Sequence, residues 1–215
     1  MTEIGRIKSV VRSRVGEREF YFGVVDSDKI RSITFVPVIE RSPKTFLQEE
    51  EDGYQRPASV SRMRAFMRFL EENPSSVVPP VLLSARHKWQ FEPTQGSDFG
   101  ELRIEGPAAI IDGQHRLGGY VALFEKHGTT RPVPFILLID LSVEEEKQEF
   151  VVVNNTQKGV PRALTAYLEG DEWAQIAWQL NEDPDSPFVG RIARTQMARH
   201  HLFALHSVAK QMKEL

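Results

Sequence analysis

Asp112-Gly113-Gln114-His115-Arg116 is the stretch of this chain whose residue types and spacing could do chemistry. It joins the apolar run Ala108-Ala109-Ile110-Ile111, a buried strand by its composition, to a segment where Leu117, Tyr120, Val121 and Phe124 fall at helical spacing. A strand that turns straight into a helix leaves the first backbone N–H groups of that helix unpaired and its positive dipole end open, which favours phosphate. Gly113 lets a ligand approach the backbone, and the Arg116 guanidinium adds a fork of donors that suits phosphate oxygens. His115 could serve as a second donor or a proton shuttle. Asp112 has two readings: it caps the helix and orients Gln114, or it holds a magnesium ion bridging phosphates, with capping placed first. Gln114 could position an attacking water in nucleotide hydrolysis, or close a plain hydrogen bond across the turn. The bland alternative for the whole stretch is a cap, a tight turn and solvated first-turn residues.

Two flanking segments could reach such a site. Val60, Met63, Phe66, Met67 and Leu70 mark an amphipathic helix, with Ser59 as its N-cap and Asn73-Pro74 as its stop. Arg56 and Arg62 sit near its start, and Arg62 adjoins Phe66 and Phe69, so it is expected half-buried with a partner. That partner is either Asp112, in a structural salt bridge, or a phosphate. Arg64 and Arg68, four residues apart, read as solvated charges. Downstream, Ser142 and Glu145 form a capping box that opens a helix reaching Val153, and Asn154-Asn155-Thr156 breaks it. Asn154, Asn155, Gln157 and Lys158 could close over a base or sugar, or merely end the helix.

The inventory removes other chemistries. With no cysteine among 215 residues there is no disulfide, thiolate zinc site, iron–sulfur cluster or cysteine nucleophile. His200, His201 and His206 lack the helical spacing of a metal pair, so zinc is not expected, and neither is haem. Trp89, Trp173 and Trp178 read as packing residues. The nucleophile elbow, P-loop, zinc-protease and dinucleotide fingerprints are all missing. A net charge of -3 argues against a whole-surface electrostatic grip on DNA. No apolar run suits a signal peptide or membrane span, so a cytoplasmic protein without a membrane partner is expected.

The elements that must position these residues follow from periodicity. Residues 6–13 and 18–25 flank Val15-Gly16-Glu17 as a hairpin, and 33–39 is a strand running into an exposed acidic loop around 49–53. Val81-Leu82-Leu83 and Leu102-Arg103-Ile104 read as strands separated by a polar loop at 93–100; His87 is placed on a strand, and 132–139 is the next one. Beyond Pro161 only helices are predicted, at 163–168, at 172–180 and from 192 to the end. The last has no stop signal at Leu215, as in a piece of a longer protein. The expected fold is therefore α/β, a mixed sheet with packed helices over 1–160, followed by a helical C-terminal extension over 161–215.

Asp112-Gly113-Gln114-His115-Arg116, between strand and helix, resembles the signature of the DGQHR-domain family, that of the DndB-like regulators of DNA phosphorothioation. Tyr54-Gln55-Arg56 with Ser61-Arg62 resembles the family's arginine-bearing stretch upstream. Phe150 to Asn155 with Gln157-Lys158 resembles its downstream stretch, and Pro134-Phe135 opens the strand between. The likeness covers about residues 10–168 in order. The family in turn is similar to the ParB/sulfiredoxin superfamily, whose strand–loop–helix motif binds nucleotide phosphates. Against the ParB motif, Gly113-Gln114-His115-Arg116 overlies its GERR, and Gly118 stands where a second arginine would be. Against sulfiredoxin, Gln114 takes the place of the cysteine nucleophile, which excludes that chemistry.

The resemblance implies a nucleotide-binding component of a bacterial DNA-modification or phage-defence system, with slow NTPase activity and magnesium accompanying a nucleoside triphosphate. It also implies a rival from another class, a DNA-binding transcriptional regulator. That rival would use Arg56, Arg62, Arg64 and Arg68 with a basic C-terminal helix carrying Arg191, Arg194, Arg199, Lys210 and Lys213. Other defence proteins and a second copy of the chain are the further partners implied. A scaffold with a vestigial signature loop would bind neither ligand.

Overall fold

Gly16 and Glu17 turn two strands into a hairpin, β1 (Gly5–Val15) and β2 (Arg18–Asp26), whose register pairs Val15 with Arg18 and Val11 with Phe22. The computed structural model describes residues 3–156, 161–168, 170–195 and 197–214. A short helix α1 (Ser27–Ile30) and a 3-10 turn lead into the wholly buried β3 (Thr34–Val38). The acidic stretch expected as a loop is instead a strand, β4 (Glu49–Gln55), parallel to β3 with a bulge between Glu50 and Gln55. It ends the sheet, where charges face water and discourage further pairing, so apolar alternation never appears in its sequence.

Helix α2 (Val60–Glu72) runs as its spacing predicts, with Ser59 at the N-cap and Met63 and Leu70 buried. Then come β5 (Val81–Ser84), β6 (Trp89–Pro93), β7 (Phe99–Ile104), β8 (Ala108–Asp112), α3 (Gln114–His127), β9 (Pro132–Leu138) and α4 (Val143–Thr156). His87 lies in the turn before β6 rather than on a strand, with φ at +62°. Trp89 is fully buried and donates its indole N–H to the Gly106 carbonyl at 2.8 Å. The Ser142–Glu145 box forms, with the Ser142 N–H donating to the Glu145 carboxylate at 2.9 Å. The helix it opens runs past Val153 to Thr156, with the Asn154 amide and Thr156 hydroxyl bonded back to the Phe150 and Val152 carbonyls within it.

The nine strands lie in the order β4-β3-β8-β5-β9-β2-β1-β7-β6, a mixed sheet in an α/β fold. Strands β4, β3 and β8 are mutually parallel, so β4 and β8 finish at the same end of the sheet. The helices that follow them, α2 and α3, therefore start there. Ala108 and Ile110 join the core under α2 and α3, while Ile111 points the other way, into a cluster with Leu138, Leu141 and Phe150. Helix α4 thus occupies the opposite face.

Contacts divide the chain into two compact units, Met1–Thr156 and Gln157–Leu215. Within the second are α5 (Arg162–Leu168), α6 (Glu172–Glu182), β10 (Ile192–Ala193), β11 (Phe203–Ala204) and α7 (Leu205–Glu214). The long helix expected from Ile192 is corrected to two short parallel strands and a helix of 10 residues. Local polar bonds explain it: the Ile192 N–H donates to the Asn181 side chain at 2.8 Å, and the Leu202 N–H donates to the Arg191 carbonyl at 2.8 Å. Arg194 lies over the Trp178 and Tyr167 rings at 4.7 and 5.1 Å. Of the basic residues assigned to that helix, only Lys210 and Lys213 are on it. Among the described residues no helix is long and apolar enough to cross a membrane.

The contact that brings α2 and α3 together is made by glycine. A Cβ at Gly118 would strike the Met63 sulfur, and one at Gly119 would come 2.6 Å from Phe66 Cδ1 and 3.0 Å from the Met63 carbonyl oxygen. Overpacking costs about 1–3 kcal/mol, against roughly 1 kcal/mol of helix propensity gained by alanine. Gly119→Ala is expected to lower the urea midpoint, by a net loss of up to about 2 kcal/mol. A higher midpoint, the outcome of helix propensity acting alone, would mean that this close crossing does not exist.

Candidate functional site

Where β4 and β8 end, a cleft of about 670 Å³ opens between the starts of α2 and α3 and the last turns of α4. The β4–α2 connection contributes Gln55, Arg56, Pro57, Ser59 and Arg62, the β8–α3 junction contributes Ile111 to Arg116, and α4 contributes Phe150 and Asn154. The volume falls in the range of small-molecule sites. Gly113 is the N-cap of α3, at φ +95°, and no acidic residue stands in the first turn of either α2 or α3. A side chain at position 113 would suffer the left-handed backbone and also meet Val81 Cγ1 at 2.7 Å. Both helix starts turn partial positive charge toward one cleft; the first N–H groups of α3 have no side-chain cap, whereas at α2 the Ser59 hydroxyl accepts the Arg62 N–H at 3.5 Å.

The side chains stand as follows. Arg116 turns back along α3 and donates to Asp112 Oδ2 at 2.7 Å and to the Pro80 carbonyl at 3.4 Å, while its buried Nε has no partner among the described residues. Asp112 is therefore one residue before the cap, ion-paired to Arg116, and not the capping residue expected. Gln114 Nε2 reaches the Arg56 carbonyl at 3.5 Å, and its buried Oε1 has no partner among the described residues. Arg62 is exposed rather than half-buried, and neither it nor Arg56 makes an ion pair among the described residues. Asp112 is the single carboxylate on the described cleft wall, so the lining carries net positive charge.

His115 has a job the sequence did not suggest. Its Nε2 accepts the Ser59 backbone N–H at 3.0 Å, tying the first turn of α3 to the N-cap of α2. Only a neutral imidazole can accept there, and burial, aided by the nearby Arg62 charge, pushes the His115 pKa below its usual value. That fixes the Nε2 lone pair in structure and leaves Nδ1 to carry the proton.

The structure brings Arg56, Arg62, Asp112, Gly113, Gln114, His115, Arg116 and Asn154 to one cleft. Asn155 is exposed and off its wall, and Gln157 and Lys158 lie outside the described residues. Among the described residues no group of three or more metal-ligating side chains converges, so magnesium would depend on Asp112 and on the ligand's own oxygens. Arg64 lies elsewhere on α2, in a depression with Met67, Glu125 and Lys126.

Sequence reasoning assigned no role to three residues. Gln55, 1% exposed, donates to the Ile110 and Ile111 carbonyls at 2.5 and 3.3 Å, bridging β4 to β8 where the β3–β8 ladder has stopped. Arg86 grips the fully buried Glu146 of α4 with two bonds of 2.8 and 2.6 Å, and stands over the Phe35 ring. These hydrogen bonds join residues at least 55 apart in the chain, and no local pattern signals them.

A pH dependence follows. The unfolded His115 takes up a proton near pH 6.5, whereas the folded one resists until lower pH, so its contribution to stability is complete above 6.5 and declines as pH falls below it. Between pH 7.5 and 5.5 the wild-type chain should lose more stability in thermal unfolding than His115→Gln, which keeps an acceptor without a titratable ring. Equal losses would contradict the neutral Nε2 acceptor.

A protein-family model described as DndB, DNA-sulfur modification-associated, matches residues 9–215, through the second unit as well as the first. No curated protein and no solved structure matches the chain at a significant level. With that match spanning nearly the whole sequence, and the signature residues gathered at one cleft, the chain belongs to the DndB family of DNA-sulfur modification-associated proteins.

Proposed function

We propose that the cleft binds the phosphate groups of a nucleotide, and that the chain serves a bacterial DNA-modification or phage-defence system as its nucleotide-binding component. The observation that carries this is the convergence of two helix N-termini and three arginines on one wall whose single described carboxylate is already paired. Arg62 and Arg56, which make no ion pair among the described residues, are the first phosphate contacts, beside the backbone N–H groups that follow Gly113. Arg116 lines the cleft and holds Asp112, and its buried Nε has no partner among the described residues. The buried Gln114 Oε1 is an acceptor suited to orient a water for attack on the terminal phosphorus, releasing inorganic phosphate and a nucleoside diphosphate. Magnesium arriving with the nucleotide would be met by Asp112 only by sharing it with Arg116, and would supply neutralising charge to the phosphates.

A DNA-binding regulator of such a system is the second reading, favoured by the family match; it would engage Arg62 at the cleft together with Arg64 at a separate depression on α2.

Calorimetric titration of the full chain with ATP, CTP, GTP and UTP, with and without magnesium, tests the proposal. Saturable binding is expected, and Arg62→Ala should weaken it about tenfold or more, since a charge-assisted contact is worth roughly 1.5–3 kcal/mol. No binding to any of the four would overturn the reading. Tight binding to duplex DNA with a steep salt dependence and none to nucleotides would move the assignment to a DNA reader.

A further inference from the structure

The cleft has two unlike walls. One is cationic, formed by the starts of α2 and α3 with Arg56, Arg62 and Arg116. The other comes from the opposite face of the sheet and consists of Ile111, Phe150 and Asn154. On this second wall the Asn154 amide is fixed: its Nδ2 donates to the Phe150 carbonyl at 2.7 Å, so Oδ1 is turned away from that carbonyl. Among the described residues Oδ1 accepts no hydrogen bond and the second Nδ2 hydrogen is not used, so this wall offers one acceptor beside one donor, an edge that a nucleobase can pair with. None of these three residues is charged, so phosphate is held by the opposite wall. A flat group that carries N–H donors and can lie on an aromatic ring is what such a wall accepts.

We propose that Phe150 and Asn154 form a base subsite, with the nucleobase against the Phe150 ring and one of its N–H groups donating to Asn154 Oδ1. The inference rests on the phosphate reading of the opposite wall and adds what that reading does not contain: a reason for the cleft to prefer nucleotides over bare polyphosphate. Phe150 is held for this by its edge contact with Tyr54, ring centres 5.5 Å apart, and by packing on the Ile111 cluster. A bare triphosphate has no group to lie on the Phe150 ring, whereas a nucleotide has one.

The test compares nucleoside triphosphates with inorganic triphosphate, by competition calorimetry on the full chain and on two variants. In the wild type at least one nucleoside triphosphate should bind about tenfold tighter than inorganic triphosphate. Asn154→Leu, at an exposed position where folding is not at stake, should reduce that preference severalfold. Phe150→Leu should reduce it too, with its fold checked by circular dichroism. Equal affinity for triphosphate and all four nucleotides would overturn the base subsite and leave the phosphate site standing. Retention of the full preference in Asn154→Leu would also overturn it. Binding of neither ligand class would remove the phosphate reading and the subsite together.

Discussion

The close crossing of α2 over α3 is the constraint on which the rest of the site depends. Gly118 and Gly119 allow the Met63 turn of α2 to lie almost on the α3 backbone, and the parallel pairing of β4, β3 and β8 sets both helix starts at the same end of the sheet. Once there, His115 and Ser59 lock the two N-termini to each other through a backbone N–H and a neutral imidazole. The uncapped start of α3 and the Ser59-capped start of α2 then turn their positive dipole ends to one cleft, a stronger anion attractor than either helix provides alone.

The same crossing explains a departure from the pattern the signature resembles. The place of a second motif arginine is taken by Gly118, and the structure shows that any side chain there would collide with Met63. The positive charge is supplied instead from the β4–α2 connection by Arg56 and Arg62, while Arg116 is partly committed to Asp112. Positive charge thus stands on the neighbouring element of the same cleft, and the space beside Gly118 is taken by helix packing.

Much of this architecture was legible in the residues, and what was hidden has a physical cause. The hairpin, α2, the Ser142–Glu145 box and the β8–α3 junction carry strong local signals: period-2 or period-3.6 apolar spacing, caps and a left-handed glycine. Strand β4 carries none, because an edge strand rich in Glu and Asp looks like a loop. The β10–β11 pair was hidden because a strand of two residues has no period at all. Gln55, Arg86 and Glu146 were invisible for a third reason, since each is defined by a partner far away in sequence. Arg62 was read as half-buried from its helical neighbours Phe66 and Phe69, yet Phe69 is itself 38% exposed, so the stripe it adjoins faces water at that edge.

The most direct measurement is a backbone amide NMR titration of the chain with inorganic triphosphate, which reports on both helix starts at once. Saturable shifts are expected, concentrated on the amides of Gln114, His115 and Arg116 and, on the second helix, of Val60 and Ser61. Shifts confined to one helix start would contradict the joint site. Shifts scattered over the exposed arginines and lysines, or none at all, would contradict the claim that the paired N-termini bind phosphate.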